Sequence, residues 1–173
     1  AEWLPAEIAS LAGDHQAAVE YLRPFCDLLE DLDQRFYLSS IAPMLGRELC
    51  ALGRHAEAER YARLTRELEV RQNVLGEATW RQVQAVVQAH RGEHAEAEAL
   101  AREAVGIAER TDGLNYQGDA FCDLAEVLAA AGRTHEAAEA LEQALERYER
   151  KKNLAMAAQM RPRLETLRGA APA

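Results

Sequence analysis

An all-α solenoid of stacked antiparallel helix pairs is the fold class this chain predicts. Three observations carry that reading: a repeat near 40 residues, a helix-forming composition, and alanines at helical spacing. Gly13, Gly53, Gly92 and Gly132 fall 40, 39 and 40 residues apart and open the phrases GDHQAAVEYL, GRHAEAERYA, GEHAEAEALA and GRTHEAAEAL. Five positions after each glycine stands Ala18, Ala58, Ala97 or Ala137. Self-similarity at such a period marks units that bury their apolar faces only by stacking on one another. Ala, Leu, Glu and Arg dominate while Val, Ile, Thr and aromatics are few, which favours helices in close contact over sheet. The 173 residues hold about four such units.

Each unit resolves into two helices around its glycine. Second helices are predicted over His15–Leu29, His55–Glu69, His94–Arg110 and His135–Arg150, with alanines recurring every three or four residues on one stripe. First helices are predicted over Phe36–Leu52, Ala78–Arg91 and Gln117–Ala131. Their inward stripes are Ile41, Leu45, Leu49 and Leu52; Trp80, Val83 and Val87; and Phe121, Leu124 and Leu128. The glycines fit the left-handed position after a helix, where a Cβ is unfavourable. Pro24 falls within a second helix and is expected to kink it.

The two ends are read differently. Residues 1–12, with Pro5 suited to a first helical turn, leave room for a shortened first helix, as in a segment of a longer array. Residues 1–150 thus form four repeats, the first truncated at its N-terminus. Asn153 is placed to cap a last helix over 151–168, carrying Leu154, Met156, Met160, Leu164 and Leu167, with Lys151, Arg161, Arg163 and Arg168 towards water. Residues 169–173 read as a disordered tail.

Charge and motifs narrow the function. The net charge is −9, distributed as −7 over residues 1–33, +3 over 34–92, −10 over 93–149 and +5 over 150–173. An acidic body disfavours nucleic acid, which needs clustered Lys and Arg. No apolar run is long enough for a membrane span and no signal peptide is evident, so a cytoplasmic chain is expected. Cys26, Cys50 and Cys122 lack metal or redox spacing and read as packing residues. His15, His55 and His94 occupy one repeat position, with His135 one later; they are too far apart to share a metal and are expected in exposed turns. Nucleotide-binding, metalloprotease and serine-hydrolase motifs are absent, so the reading is a non-enzymatic chain with no metal or cofactor.

These residues resemble the tetratricopeptide repeat (TPR) family: a small residue seven before the glycine (Gly46, Ala125), Phe121 eleven before it, the glycine turn, the alanine five after, and Tyr21, Tyr61 or Leu100 eight after. The resemblance implies a right-handed α-solenoid. Against the family's period of about 34, five or six extra residues are expected after the second helices, at Glu30–Arg35, Arg71–Gly76 and Thr111–Gly118. Longer units of this type, and the stretch QGDAFCDLAEVL from Gln117, are similar to C-terminal arrays of bacterial adenylyl or guanylyl cyclase and STAND or AAA-type ATPase regulators.

The resemblance implies a groove lined by first helices at thirteen, ten, nine, six, three and two before the glycine. It selects Ser40, Pro43, Met44, Arg47, Cys50 and Ala51, then Asp119, Cys122, Asp123, Glu126, Ala129 and Ala130. In the third unit, Trp80, Val83 and Val87 align better with one residue inserted before Gly92, and only Gln82 serves under both registers. Met44, Arg47, Gln82, Asp119, Cys122, Asp123 and Glu126 are therefore the candidate groove residues. The expected function is a protein-interaction or regulatory module of a bacterial signalling protein, binding a protein, a peptide or an upstream domain of its own polypeptide. A small-molecule sensor and a self-associating homodimer are the alternatives.

Overall fold

The computed structural model describes residues 3–68, 70 and 72–170. Among them are nine α-helices and no strand: α1 Leu4–Leu11, α2 His15–Asp31, α3 Arg35–Ala51, α4 His55–Glu67, α5 Val74–His90, α6 His94–Ala108, α7 Leu114–Ala130, α8 Thr134–Lys151 and α9 Leu154–Ala170. Consecutive helices pack antiparallel, and the odd-numbered α3, α5 and α7 also pack on one another. The chain is thus a TPR-like α-solenoid.

The four glycines act as predicted. Each has φ between +72° and +84°. The glycine N–H donates to the carbonyl three residues back and the next N–H to the carbonyl five back, as in Asp14 to Ala9 at 2.9 Å and Arg54 to Leu49 at 2.8 Å. These bonds satisfy carbonyls that a helix end would otherwise leave free. The same turn recurs where the sequence offers no glycine. Asp33 (φ +48°) and Lys152 (φ +63°) take the left-handed position, with Gln34 N–H on Leu29 O and Asn153 N–H on Tyr148 O, both at 2.9 Å. Two of the four pair-to-pair junctions, α2–α3 and α8–α9, therefore reuse the turn made within pairs.

The residues beyond the usual period do not form long loops. Helices α3, α5 and α7 each run 17 residues, and α5 and α7 begin earlier than the predicted Ala78 and Gln117. Much of the extra length becomes an added first turn. At α5 the Asn73 side chain accepts from Gly76 N–H at 3.0 Å, while its amide donates to Ser39 and Ser40 Oγ at 2.8 and 2.7 Å. One side chain thus caps α5 and ties it to α3.

Close helix approach depends on small residues. Ala18, Ala58, Ala97 and Ala137 are all 0 % exposed. At seven before the glycine stand Gly46, Ala85 and Ala125, and a Cβ on Gly46 would come within 3.2 Å of the Val83 methyls. Ile41, Leu45, Leu49, Trp80, Val83, Val87, Leu124 and Leu128 are buried as expected, while Phe121 is half-buried under the Arg147 guanidinium. Outside, arginines link successive units to the acidic faces: Arg23 with Glu57 at 2.9 Å, Arg91 with Glu59 at 2.8 Å, and Arg133 with Glu98.

Several expectations are corrected. Pro43 is fully buried rather than facing a groove, because it lies on the side of α3 that packs into the array. Helix α9 continues through Gly169 and Ala170, so those two are helical; residues 171–173 lie outside the described residues. Leu154 is exposed rather than packed. Of the cationic residues expected to face water on α9, Arg161 and Arg168 pair with Glu149 and Glu142. Lys151 and Arg163 are exposed as expected, at the edge of the cavity described below. Helix α9 also meets the start of the array: Gln159 Nε2 donates to the Leu11 carbonyl at 3.0 Å.

Two glycine substitutions separate backbone strain from packing. A Cβ on Gly53 meets open space, so Gly53→Ala suffers only from its φ of +72° and is expected to cost about 1 kcal/mol. A Cβ on Gly118 would stand 2.7 Å from the Tyr148 ring, and Gly118→Ala is expected to cost about 1–3 kcal/mol by overpacking. Urea denaturation of both variants measures the two penalties; a Gly118→Ala midpoint equal to the unsubstituted chain would refute the packing argument.

Candidate functional site

The odd-numbered helices turn one side into a shared cavity of about 770 Å³. Its wall shows the repeat register directly. At thirteen, ten, nine and six before the glycine, α5 contributes Thr79, Gln82, Val83 and Val86, and α7 contributes Asp119, Cys122, Asp123 and Glu126. The third unit therefore follows its glycine without an inserted residue. All seven candidate residues, Met44, Arg47, Gln82, Asp119, Cys122, Asp123 and Glu126, line this cavity, as do Ser40, Cys50 and Ala51, whereas Ala129 and Ala130 lie off it.

Two of the seven differ from the expected exposed positions. Gln82 is 3 % exposed and Cys122 5 %. Cys122 Sγ lies 3.2 Å from Met160 Sδ and 3.7 Å from Tyr148 Oη, because α9 packs over the end of α7. Burial pushes its thiol up to about 12, as it does those of Cys26 and Cys50. All three read as packing thiols, far from the thiolate state that reactive cysteines need.

Arg47 does not stand apart as a basic end. Its Nη1 lies 3.0 Å from Asp119 Oδ2 and its Nε 3.3 Å from Asp123 Oδ2, so the side chain spans from α3 to α7 past α5. Asp119 is also held from behind, since Tyr148 Oη on α8 donates to its Oδ1 at 2.5 Å. Burial, then Asp119, drives the Tyr148 phenol far above its ordinary value. Burial works against the Arg47 charge, but Asp123 and then Asp119 outweigh it and hold the guanidinium well above its usual range. Asp123 is the less settled partner. Burial raises its pKa from 3.8 to about 6; Arg47 opposes the rise, while Glu126 and Asp119 add to it. Its Oδ2 is enclosed without a hydrogen bond of good geometry.

The cavity's mouth lies outside the predicted groove positions. Trp3, Phe36, Tyr37, Val74 and Tyr116 line it, each 39 to 59 % exposed. They come from the beginning of α1, α3, α5 and α7, so they form one apolar rim. Phe36 and Tyr37 meet edge to face with centroids 5.8 Å apart.

The histidines are not uniformly exposed. His15 Nδ1 lies 2.7 Å from Glu48 Oε2. His55 stacks on His90 at 3.9 Å, and burial followed by His90 lowers its pKa. His135 alone of the four keeps the expected exposed turn position. Among the described residues no group of three or more His, Cys, Asp or Glu is placed to hold a metal, and no helix is long and apolar enough to cross a membrane.

The raised Asp123 pKa has a stability consequence. Above pH 6 the folded chain carries a buried carboxylate that the unfolded chain would solvate; below 3.8 both states are protonated and the penalty is gone. Its contribution therefore worsens as pH rises through 4 to 6. Asp123→Asn is expected to stabilise the chain by about 1–3 kcal/mol at pH 8, with the difference vanishing near pH 4. Denaturation of both proteins at the two pH values tests this, and a variant less stable at pH 8 would contradict it.

The comparisons with known proteins agree with this architecture. No curated protein matches the chain. Among solved structures it is similar to BtubC (BKLC) from P. vanneervenii, with a TM-score of 0.55 and 18 % identity over 97 % of this chain and 80 % of that one. At that identity the likeness concerns the fold. Residues 76–150, the α5–α6 and α7–α8 pairs, match the tetratricopeptide repeat family, whose repeats generally mediate protein–protein interaction.

Proposed function

We propose that this chain is a non-enzymatic interaction module of a larger bacterial signalling protein, and that it receives a protein or peptide segment in the cavity of its odd-numbered helices. The observation that carries this reading is the cavity itself: an exposed aromatic mouth leading to a wall that holds a buried amide and half-buried aspartates. A solenoid that needed these side chains only for stability would bury the aromatics and leave the amide in water. The segment comes from another protein or from an upstream domain of the same polypeptide. Its docking biases a fused cyclase or ATPase by stabilising one arrangement of the array.

A small-molecule sensor is the second reading. It is favoured by one observation, that about 770 Å³ falls among volumes that suit small ligands. Self-association through α9 has less support, because Met160 and Leu164 are already buried in the array.

Thr79 stands half-buried on the cavity wall, so Thr79→Trp fills the cavity from within. In the full-length gene product, nucleotide turnover by the fused domain is expected to change about 5-fold or more, the scale of an ordinary coupling energy. Unchanged turnover in a folded variant would reject the regulatory reading. A metabolite that raises the melting temperature of the original chain but not of Thr79→Trp would transfer the assignment to the sensor.

A further inference from the structure

The polar wall of the cavity is incomplete in a particular chemical sense. Gln82 is 3 % exposed and faces the cavity, yet its amide makes no hydrogen bond among the described residues. That amide opens onto the cavity rather than being sealed within protein, so its donor and acceptor are available to an occupant. On the neighbouring α7, Asp119, Asp123 and Glu126 line the same space. Asp119 is taken up by Tyr148 and Arg47. Asp123 Oδ2 has only the strained approach of Arg47 Nε at 3.3 Å, and Glu126 makes no ion pair among the described residues and is exposed.

Two of the three carboxylates thus share one guanidinium, and the third has no cationic partner among the described residues. Lys151 and Arg163 also border the cavity, but from the α8–α9 side, where Arg163 Nη1 rests 3.8 Å from Met160 Sδ. The charges that act most strongly on Asp123 are Arg47, Glu126 and Asp119. Around Asp123 and Glu126 the wall holds one cation, Arg47, already engaged with Asp119, and the mouth offers aromatic and aliphatic surface.

We propose that the occupant is a peptide segment that places an arginine or lysine side chain between Gln82 and the Asp123 and Glu126 carboxylates, with its apolar neighbours resting on the Trp3, Phe36, Tyr37 and Tyr116 rim. The cation donates to the Gln82 Oε1 and to the carboxylates, forming charge-assisted bonds of the stronger kind. The rim receives the flanking side chains and, for arginine, offers ring faces for stacking. This assignment rests on the reading of the chain as a peptide-binding module.

The experiment is a selection of displayed random heptapeptides on the folded chain, run in parallel on Thr79→Trp. Enriched sequences are expected to share an Arg or Lys flanked by aromatic or aliphatic residues. In titrations with the best synthetic peptide, replacing its Arg by citrulline, or its Lys by glutamine, and separately Glu126→Gln, are each expected to weaken binding about 10-fold, the loss of one charge-assisted contact. Glu126 is exposed, so its variant should fold normally, and an unchanged melting temperature confirms that. Enrichment of acidic or uncharged peptides, or equal binding of the neutralised peptide, would overturn the cation assignment while leaving peptide binding intact. No enrichment above the Thr79→Trp background would overturn the peptide reading and this assignment with it.

Discussion

Helix spacing governs this molecule, and four alanines set it. Ala18, Ala58, Ala97 and Ala137 have no exposed surface, and each stands one turn into the helix that follows a glycine turn. A larger side chain there would push the helices apart, since packed interiors tolerate extra volume poorly. Because the spacing is tight, the array bends sharply enough for Arg47 on α3 to reach Asp119 and Asp123 on α7. The cavity and the meeting of α9 with α1 go with that approach.

Electrostatics in the middle of the cavity are organised as a chain: Tyr148 to Asp119, Asp119 to Arg47, Arg47 to Asp123. It joins α8, α7 and α3, which no single helix pair connects. Buried ion pairs are weak evidence for stability, because desolvation offsets much of their attraction. Their value here is positional. Arg47 is fixed by two carboxylates, Asp119 is fixed from both sides, and Asp123 retains an under-used oxygen in the cavity that Gln82 also lines.

Much of this was legible in the sequence, for identifiable reasons. Glycine spacing located four of the turns, since a left-handed residue after a helix favours glycine. Asp33 and Lys152 make the same turn without that marker, so they were invisible to a glycine count. The groove register, counted back from each glycine, placed all seven candidate residues on one wall, because helical periodicity fixes which side a residue faces. Whether a wall residue is open to solvent depends on what packs over it. Gln82 and Cys122 are buried by neighbours contributed from elsewhere in the chain, which no local pattern records. The rim had a signal that was overlooked: Tyr37 and Tyr116 both stand sixteen before their glycine, within the length beyond the usual period. Arg47 reaching across the cavity had none, because it depends on curvature summed over two repeats.

The contact of Gln159 with the Leu11 carbonyl joins residues 148 apart in sequence. In a linear array each unit answers only to its neighbours, and the terminal units fray first. Here a residue of α9 also answers to α1, a contact that a strictly nearest-neighbour stack would lack. A single hydrogen bond contributes only about 1 kcal/mol, so the clasp is a light one. Its consequence is local: α9 covers the first helix as well as α7, so the cavity is bordered by residues from both ends of the described array.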